Sequence, residues 1–560
     1  MKEKIFSLLW LMIVGAPLFA SAQPAAVKKA SQSVFTLTTY NADGTIHAST
    51  HGVFTGMAGE AIAMWHPFKD AARAVIIDVK GRQYSVDAML GVSENYDLCR
   101  FRIKDYNNVA SQLPTTVDNT PSTSVYLIGY DLKKPEIMNV VPVRTEKFMT
   151  NYNYYVFKDE DVSGSMLGCA VINNEGKLIG IVQRPEEGGE AFSADARLTT
   201  TFKRFGLSFN DQTLRATGIR TALPDDEKEA SLMLVLAASL TDSTRYSEYI
   251  EDYIRSFPNS TDGYNAKASQ FVNHRRLAAA DEMLQTEVKR SSNKDVAYSN
   301  YAALVYNACA YRIDTTFTKW NWNKAYELAG EAYKLNPLPT YRHQQAQVLF
   351  AQAKYQEALN MLASLQKTDL GKTGEIYYEA AQCKSHLKAP KTEIMELLDT
   401  AVNVQPGPAS APYVYARGRQ YDADGNYRKA FSDYLRYDSL MNNNATADFY
   451  YTKYQCEMKI RQYQLALNDI AHAIYLSRTE PLYYAELASL QLRVNKLEEA
   501  VKTCDLAFNI KGTETMSDLY IIKGMALCEM KKNDKGLEAL TKAKELGDNR
   551  AEKLIKKYSK

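Results

Sequence analysis

Two textures of hydrophobic and polar positions divide the chain. From about Gln32 to Phe209, apolar residues come in short alternating or continuous runs broken by turn formers. Examples are Val34-Phe-Thr-Leu-Thr, Ala74-Val-Ile-Ile-Asp, Ser124-Val-Tyr-Leu-Ile-Gly and Lys177-Leu-Ile-Gly-Ile-Val. Asn41-Ala-Asp-Gly and Asn173-Asn-Glu-Gly mark hairpin turns between such runs. Many short strands with these turns predict an all-β barrel or sandwich. A polar connector over 210–226, carrying Pro224, follows. Beyond it the period becomes 3.6, with helix formers, Ala and Tyr.

The helical part repeats itself. A small residue recurs in the second helix of a helical pair at Ala279, Ala325, Ala358, Ala430, Ala466 and Ala500, with Tyr246, Ile394 and Gly536 in weaker copies. Successive spacings are 33, 46, 33, 36, 36, 36, 34 and 36 residues, with one insertion near Thr315 to Trp322. Seven residues on stand Tyr253, Ala332, Ala401, Tyr437, Ala473, Ala507 and Ala543, and Pro258, Pro337 and Pro406 close three copies. Gly418 with Tyr421, and Gly524 with Leu527, form small-then-large pairs in first helices. A small side chain lets the neighbouring helix approach, and the large one fills the adjacent groove. The pattern resembles tetratricopeptide repeats from about Asp226 to Asn549. The resemblance implies an all-α solenoid of about nine repeats over 227–549, a capping helix over 550–560, and a concave face that binds a protein or peptide. Tyr301, Tyr341, Tyr377, Tyr413, Tyr450 and Tyr483 fall on or near first helices, where either core packing or ligand contact would suit them.

Three stretches of the strand-rich part fall in a telling order. Ile62-Ala-Met-Trp-His66-Pro-Phe comes first, then Tyr96-Asp97-Leu-Cys-Arg-Phe-Arg-Ile, then a segment from Val162 to Val182 containing Ser163-Gly-Ser-Met-Leu-Gly-Cys. Together they resemble the trypsin-like serine proteases, whose order is histidine, aspartate, nucleophile. The resemblance implies a double β-barrel over 23–209 with His66 as general base and Asp97 as the carboxylate that orients it. Two registers remain for the nucleophile. Aligned without a gap from the Asn173 to Gly180 hairpin, Leu167 stands where the serine belongs, and a leucine side chain cannot attack a carbonyl. Slid by four residues, Ser163 or Ser165 takes that place and the hairpin behind it is longer. In the gap-free register, Ser165 and Ala170 replace the glycine and proline that keep an oxyanion site rigid.

Charge and targeting narrow the function. Lys plus Arg (67) nearly cancels Asp plus Glu (65), so no basic field exists to attract nucleic acid. Met1-Lys-Glu-Lys, an apolar run from Ile5 to Ala20 and Ala20-Ser-Ala read as a secretory signal peptide over 1–22. No later segment has the apolar length to span a membrane, and no Cys near the cleavage site offers a lipid attachment point. The seven Cys lack C-x-x-C spacing, which argues against a zinc site or a dense disulfide frame, and no cofactor is expected. These readings predict a periplasmic or extracellular interaction protein carrying an inactive trypsin-like domain. The alternative is a serine endopeptidase whose repeats recruit protein substrates.

Overall fold

β-Branched and aromatic residues at alternate positions make Val34–Tyr40 (β1) and Ile46–Phe54 (β2) a hairpin. Its turn closes where Gly44, at φ 86°, donates its amide to the Asn41 carbonyl. The computed structural model describes residues 23–56, 59–106, 124–131, 134–149, 151–158, 162–183, 190–442 and 444–559, so the expected signal peptide lies outside the described residues. The chain divides into two compact units, Met1–Ala268 with Arg290–Ser292, and Ser269–Lys289 with Asn293–Lys560.

In the first unit, β1 and β2 join Glu60–Ala63 (β3), Arg73–Asp78 (β4), Gln83–Ser93 (β5) and Leu98–Ile103 (β6) in a closed barrel of order β1-β2-β3-β6-β5-β4. Phe35, Phe54, Trp65, Phe68 and Phe101 fill its interior. A seven-stranded antiparallel sheet follows. It runs Val125–Asp131 (β7), Lys134–Val140 (β8), Arg144–Phe148 (β9), Tyr152–Val156 (β10), Ala170–Ile172 (β11), Leu178–Gln183 (β12) and Phe192–Asp195 (β13), in the order β8-β7-β11-β12-β13-β10-β9. Among the described residues no pairing joins β8 to β9, so closure is seen in the first of the two sheets. Val53, Ile62 and Leu98 of the barrel share one buried cluster with Ile128, Ala170, Leu178 and Ile181 of the sheet. Burial of such side chains at roughly 25 cal/mol per Å² fixes the two sheets against each other, and the candidate site lies where they meet.

The connector differs from expectation. Its polar composition suggested a segment with few apolar contacts, yet Leu214, Ile219, Ala222 and Leu223 are buried. Thr221 bridges in parallel to Met89 of β5, whose amide donates to the Arg220 carbonyl and whose carbonyl accepts from the Ala222 amide, both at 2.8 Å. The physical reason is charge compensation: the buried Arg220 guanidinium bonds Asp87 of β5 and Asp252, each at 2.7 Å. The first two long helices, Glu227–Leu240 and Ser243–Ser256, begin at Asp226 and Asp242, whose carboxylates accept backbone amides as N-caps. They belong to the same unit as the barrel, so the compact-unit boundary falls beyond the 210–226 segment.

The second unit is helical from Leu277–Arg290 to Asn549–Tyr558, with successive helices packed on one another. Ala325, Ala358, Ala430, Ala466 and Ala500 are fully buried, as are Ala332, Ala401, Ala473, Ala507 and Ala543 seven residues on. At the first of the alanine markers the expectation shifts by one residue, since Ala280 is buried and Ala279 only partly so. Gly536 shows why the positions are small: a Cβ there would stand 2.9 Å from the Gly524 carbonyl oxygen and 3.0 Å from the Cys528 amide nitrogen. Most of the first-helix tyrosines pack into cores. Tyr341 and Tyr483 are buried, and their hydroxyls donate to Asp295 and Asp448 at 3.0 and 2.8 Å. The insertion is anchored by Trp320, whose indole donates to Asp281 at 2.8 Å. Among the described residues, no helix is long and apolar enough to cross a membrane.

Candidate active site

His66 opens a short 3₁₀ turn, His66–Phe68, directly after β3, held by Pro67 and by Trp65 and Phe68 in the barrel core. Asp97 ends the turn before β6 at φ 45°, a left-handed conformation that aspartate tolerates better than most residues. Its carbonyl accepts the Trp65 amide at 3.2 Å, tying the two turns together. The Asp97 carboxylate accepts the His66 amide at 2.6 Å and faces ring Nδ1 at 2.8 Å. Opposite a carboxylate, Nδ1 carries the proton, which leaves Nε2 as the basic nitrogen.

A third residue completes this support. The Gln183 side chain, buried at the end of β12, donates to the carbonyls of Tyr96 and Asp97, both at 2.9 Å. The motif read from the sequence ends at Val182, and a terminal Gln on an apolar strand was the only signal beyond it.

The segment after Val162 is a 3₁₀ turn, Gly164–Met166, running into β11. Ser163 and Ser165 are exposed, and their hydroxyls bond each other at 2.7 Å. Among the described residues neither hydroxyl bonds His66. Leu167 is half-buried against the core of the second sheet, its carbonyl accepting from Thr50 Oγ1 at 3.2 Å. Gly168, at φ 82°, donates to the Val182 carbonyl at 2.9 Å, and Val182 donates to the Cys169 carbonyl at 2.9 Å. Leu167 is therefore linked through Gly168 and Val182 to Gln183, and through Gln183 to Asp97 and His66. A Cβ on Gly168 would collide with Thr50 Oγ1, so glycine is required by space as well as by φ.

Behind this loop β11 and β12 form a hairpin with one register irregularity, between Val171 and Ile172. Ala170 pairs with Ile181 and Val171 with Gly180. The turn closes by Asn173 donating to the Lys177 carbonyl at 3.0 Å and by Gly176, at φ 77°, donating to the Asn173 carbonyl at 2.9 Å.

The amide of Leu167 donates to the Gly164 carbonyl at 3.4 Å, so it is engaged within its own turn. His51 of β2 fixes the same loop, its Nε2 bonding the Ser165 carbonyl at 3.0 Å. Cys169 lies fully buried beside Met166, and burial pushes its thiol far above the ordinary range, so it offers no thiolate to an electrophile. Cys99 is likewise buried, its thiol donating to the Ala63 and Met64 carbonyls, and burial raises it too.

Among solved structures the chain is similar to the serine endoprotease from Yersinia pestis, at 22% identity and a TM-score of 0.26, over 34% of this chain and 65% of that one. It is also similar to an HtrA-type protease, AlgW with a tripeptide, at 18% identity and a TM-score of 0.26, over 31% of this chain and 60% of that one. The chain thus spans less than two thirds of the length of either. No family model and no curated protein matches.

Proposed function

We propose that the chain is an exported protein-binding scaffold, in which a trypsin-like domain without hydrolytic activity is joined to a tetratricopeptide-repeat array that docks a protein or peptide. One observation carries the reading. The hairpin after the loop is paired over Ala170–Ile172, with one register irregularity, which supports the gap-free register and with it the reading of Leu167 at the nucleophile position. The shifted register needs a longer hairpin there. A hydrocarbon in that position offers His66 nothing to deprotonate there, and the Leu167 amide is already engaged by the Gly164 carbonyl. Close-packed small residues at the repeat positions support the array, whose general use is to present a surface to another chain. The signal-like start over 1–22 supports export to the periplasm or beyond.

A second reading is favoured by the His66–Asp97 pair, which is complete and braced by Gln183. In it the protein is a serine endopeptidase using Ser163 or Ser165, with the repeats recruiting substrate. Hydrolysis of casein and of peptide esters by the purified protein decides between them. The scaffold reading expects rates at background, unchanged in Ser163→Ala and Ser165→Ala. Activity abolished by either substitution establishes the endopeptidase.

A further inference from the structure

Two consecutive first helices of the second unit, Pro339–Ala351 and Gly374–His386, bring one imidazole and two carboxylates together. His343 faces the second helix, its Nε2 2.6 Å from Glu379 Oε2. Glu375 stands one turn before Glu379, so helical geometry puts both carboxylates on one face. One ligand atom from each of His343, Glu375 and Glu379 lies within 4.8 Å of the others.

Charge makes the cluster unusual. Among the described residues neither Glu375 nor Glu379 is paired with Lys or Arg, and His343 is the sole cationic candidate for two like charges.

The surroundings suit an ion. Gln347, one turn after His343, donates to Glu379 Oε1 at 3.0 Å and so orients that carboxylate from outside the donor set. Gln347 also lines a cavity of about 160 Å³ with Tyr306, Asn307 and Gln344. The His343 and Glu379 side chains are 12% and 19% exposed, sheltered yet reachable from solvent.

From this geometry we infer that His343, Glu375 and Glu379 form a binding site for a borderline divalent transition ion of the zinc class. One nitrogen and two carboxylate oxygens match the donors such an ion takes, at about 2.0–2.2 Å each. Three protein ligands leave a fourth position for water or for a group of a docked chain. Cysteine spacing argues against zinc and gives no hint of this site, because the three ligands converge only when helices from separate repeats stack.

The test is calorimetric titration of the full chain, stripped with chelator, with zinc chloride alone, alongside the visible spectrum of the cobalt form. One equivalent should bind, and the cobalt spectrum should show nitrogen and oxygen ligation without thiolate charge transfer. His343→Gln and Glu375→Gln should each weaken binding at least about tenfold, and Gln347→Ala about 10- to 100-fold, as outer partners of metal ligands do. Circular dichroism checks folding, and if His343→Gln fails to fold, the exposed Glu375→Gln decides alone. The site is overturned if no zinc binds, if Glu375→Gln binds as well as the wild type, or if thiolate bands appear. It is also overturned if zinc is refused while an oligolysine peptide binds and loses affinity in Glu375→Gln. That result would make the cluster a subsite for a basic chain.

Discussion

Asp97 takes two hydrogen bonds from His66, at 2.6 Å from the backbone amide and 2.8 Å from the ring. The pair fixes both the turn that carries the imidazole and the orientation of the ring, whether or not a nucleophile stands opposite. Its contribution is therefore structural as well as chemical. Asp97→Ala should cost about 1–2 kcal/mol by thermal denaturation, from lost charge-assisted bonds and an unfavourable positive φ. Asp97→Asn, which keeps an acceptor and tolerates that backbone, should cost less. Equal stability of both variants and the wild type would show that the pair holds nothing in place.

The close packing of the helical array gives a prediction whose sign is contested between two effects. In an exposed helix Ala is more favourable than Gly by about 1 kcal/mol. At Gly536 the new Cβ would meet backbone atoms of Gly524 and Cys528 at 2.9 and 3.0 Å, which cannot yield like the end of a flexible side chain. Overpacking of this kind costs about 1–3 kcal/mol. Gly536→Ala should thus lower the melting temperature of the array, and an increase would contradict the packing described.

Glu457 is buried, and burial, then the neighbouring Asp469 carboxylate, push its carboxyl up to about 9, while Lys453 partly offsets the rise. The folded chain therefore keeps a proton that the unfolded chain has lost once pH exceeds the ordinary glutamate value of about 4.3. Stability from this group is complete below that value and is lost as pH rises through the folded value. Between pH 6 and 8 the loss is on the order of a few kcal/mol at most. Glu457→Gln should flatten the fall in thermal stability over that interval, and an unchanged slope would show that Glu457 is not the group responsible.

Around Arg220 the first unit buries a charge network in which Arg102 also bonds Asp87, at 2.7 Å, and pairs with Asp252. Burial opposes the charge on Asp87, but Arg220 and Arg102 outweigh it and hold its carboxyl below the usual range. Limited trypsin digestion should spare the bond after Arg220, and early cleavage there would show that the segment is not packed. Arg220→Ala should cost about 3–5 kcal/mol, because it leaves buried carboxylates undercompensated.

These features were legible in the sequence to different depths. The alternation around Val34 reported a half-buried strand directly, and the continuous apolar run from Val125 reported one buried on both faces. Ala325, Ala358, Ala430, Ala466 and Ala500 recur at near-regular spacing, and each is buried where a small side chain lets neighbouring helices approach. His66 and Asp97 are identified by order alone, 31 residues apart, and the structure brings them into contact. The connector is misleading because its polarity resembles that of a loop. Arg220 is compensated by Asp87, 133 positions earlier, a partner that local composition cannot indicate. Gln183 and His343 escape a sequence reading for the same reason, since each acts on residues that only the fold brings near.

Intact-mass measurement of the purified protein after exposure to a serine-directed fluorophosphonate tests the central claim most directly, because the reagent reads the nucleophile and not the substrate. If Leu167 holds the nucleophile position, as proposed, the mass should stay unchanged, since the Ser163 and Ser165 hydroxyls bond each other. A stoichiometric adduct that maps to Ser163 or Ser165 and disappears in His66→Ala would contradict the account and make the protein a working serine hydrolase.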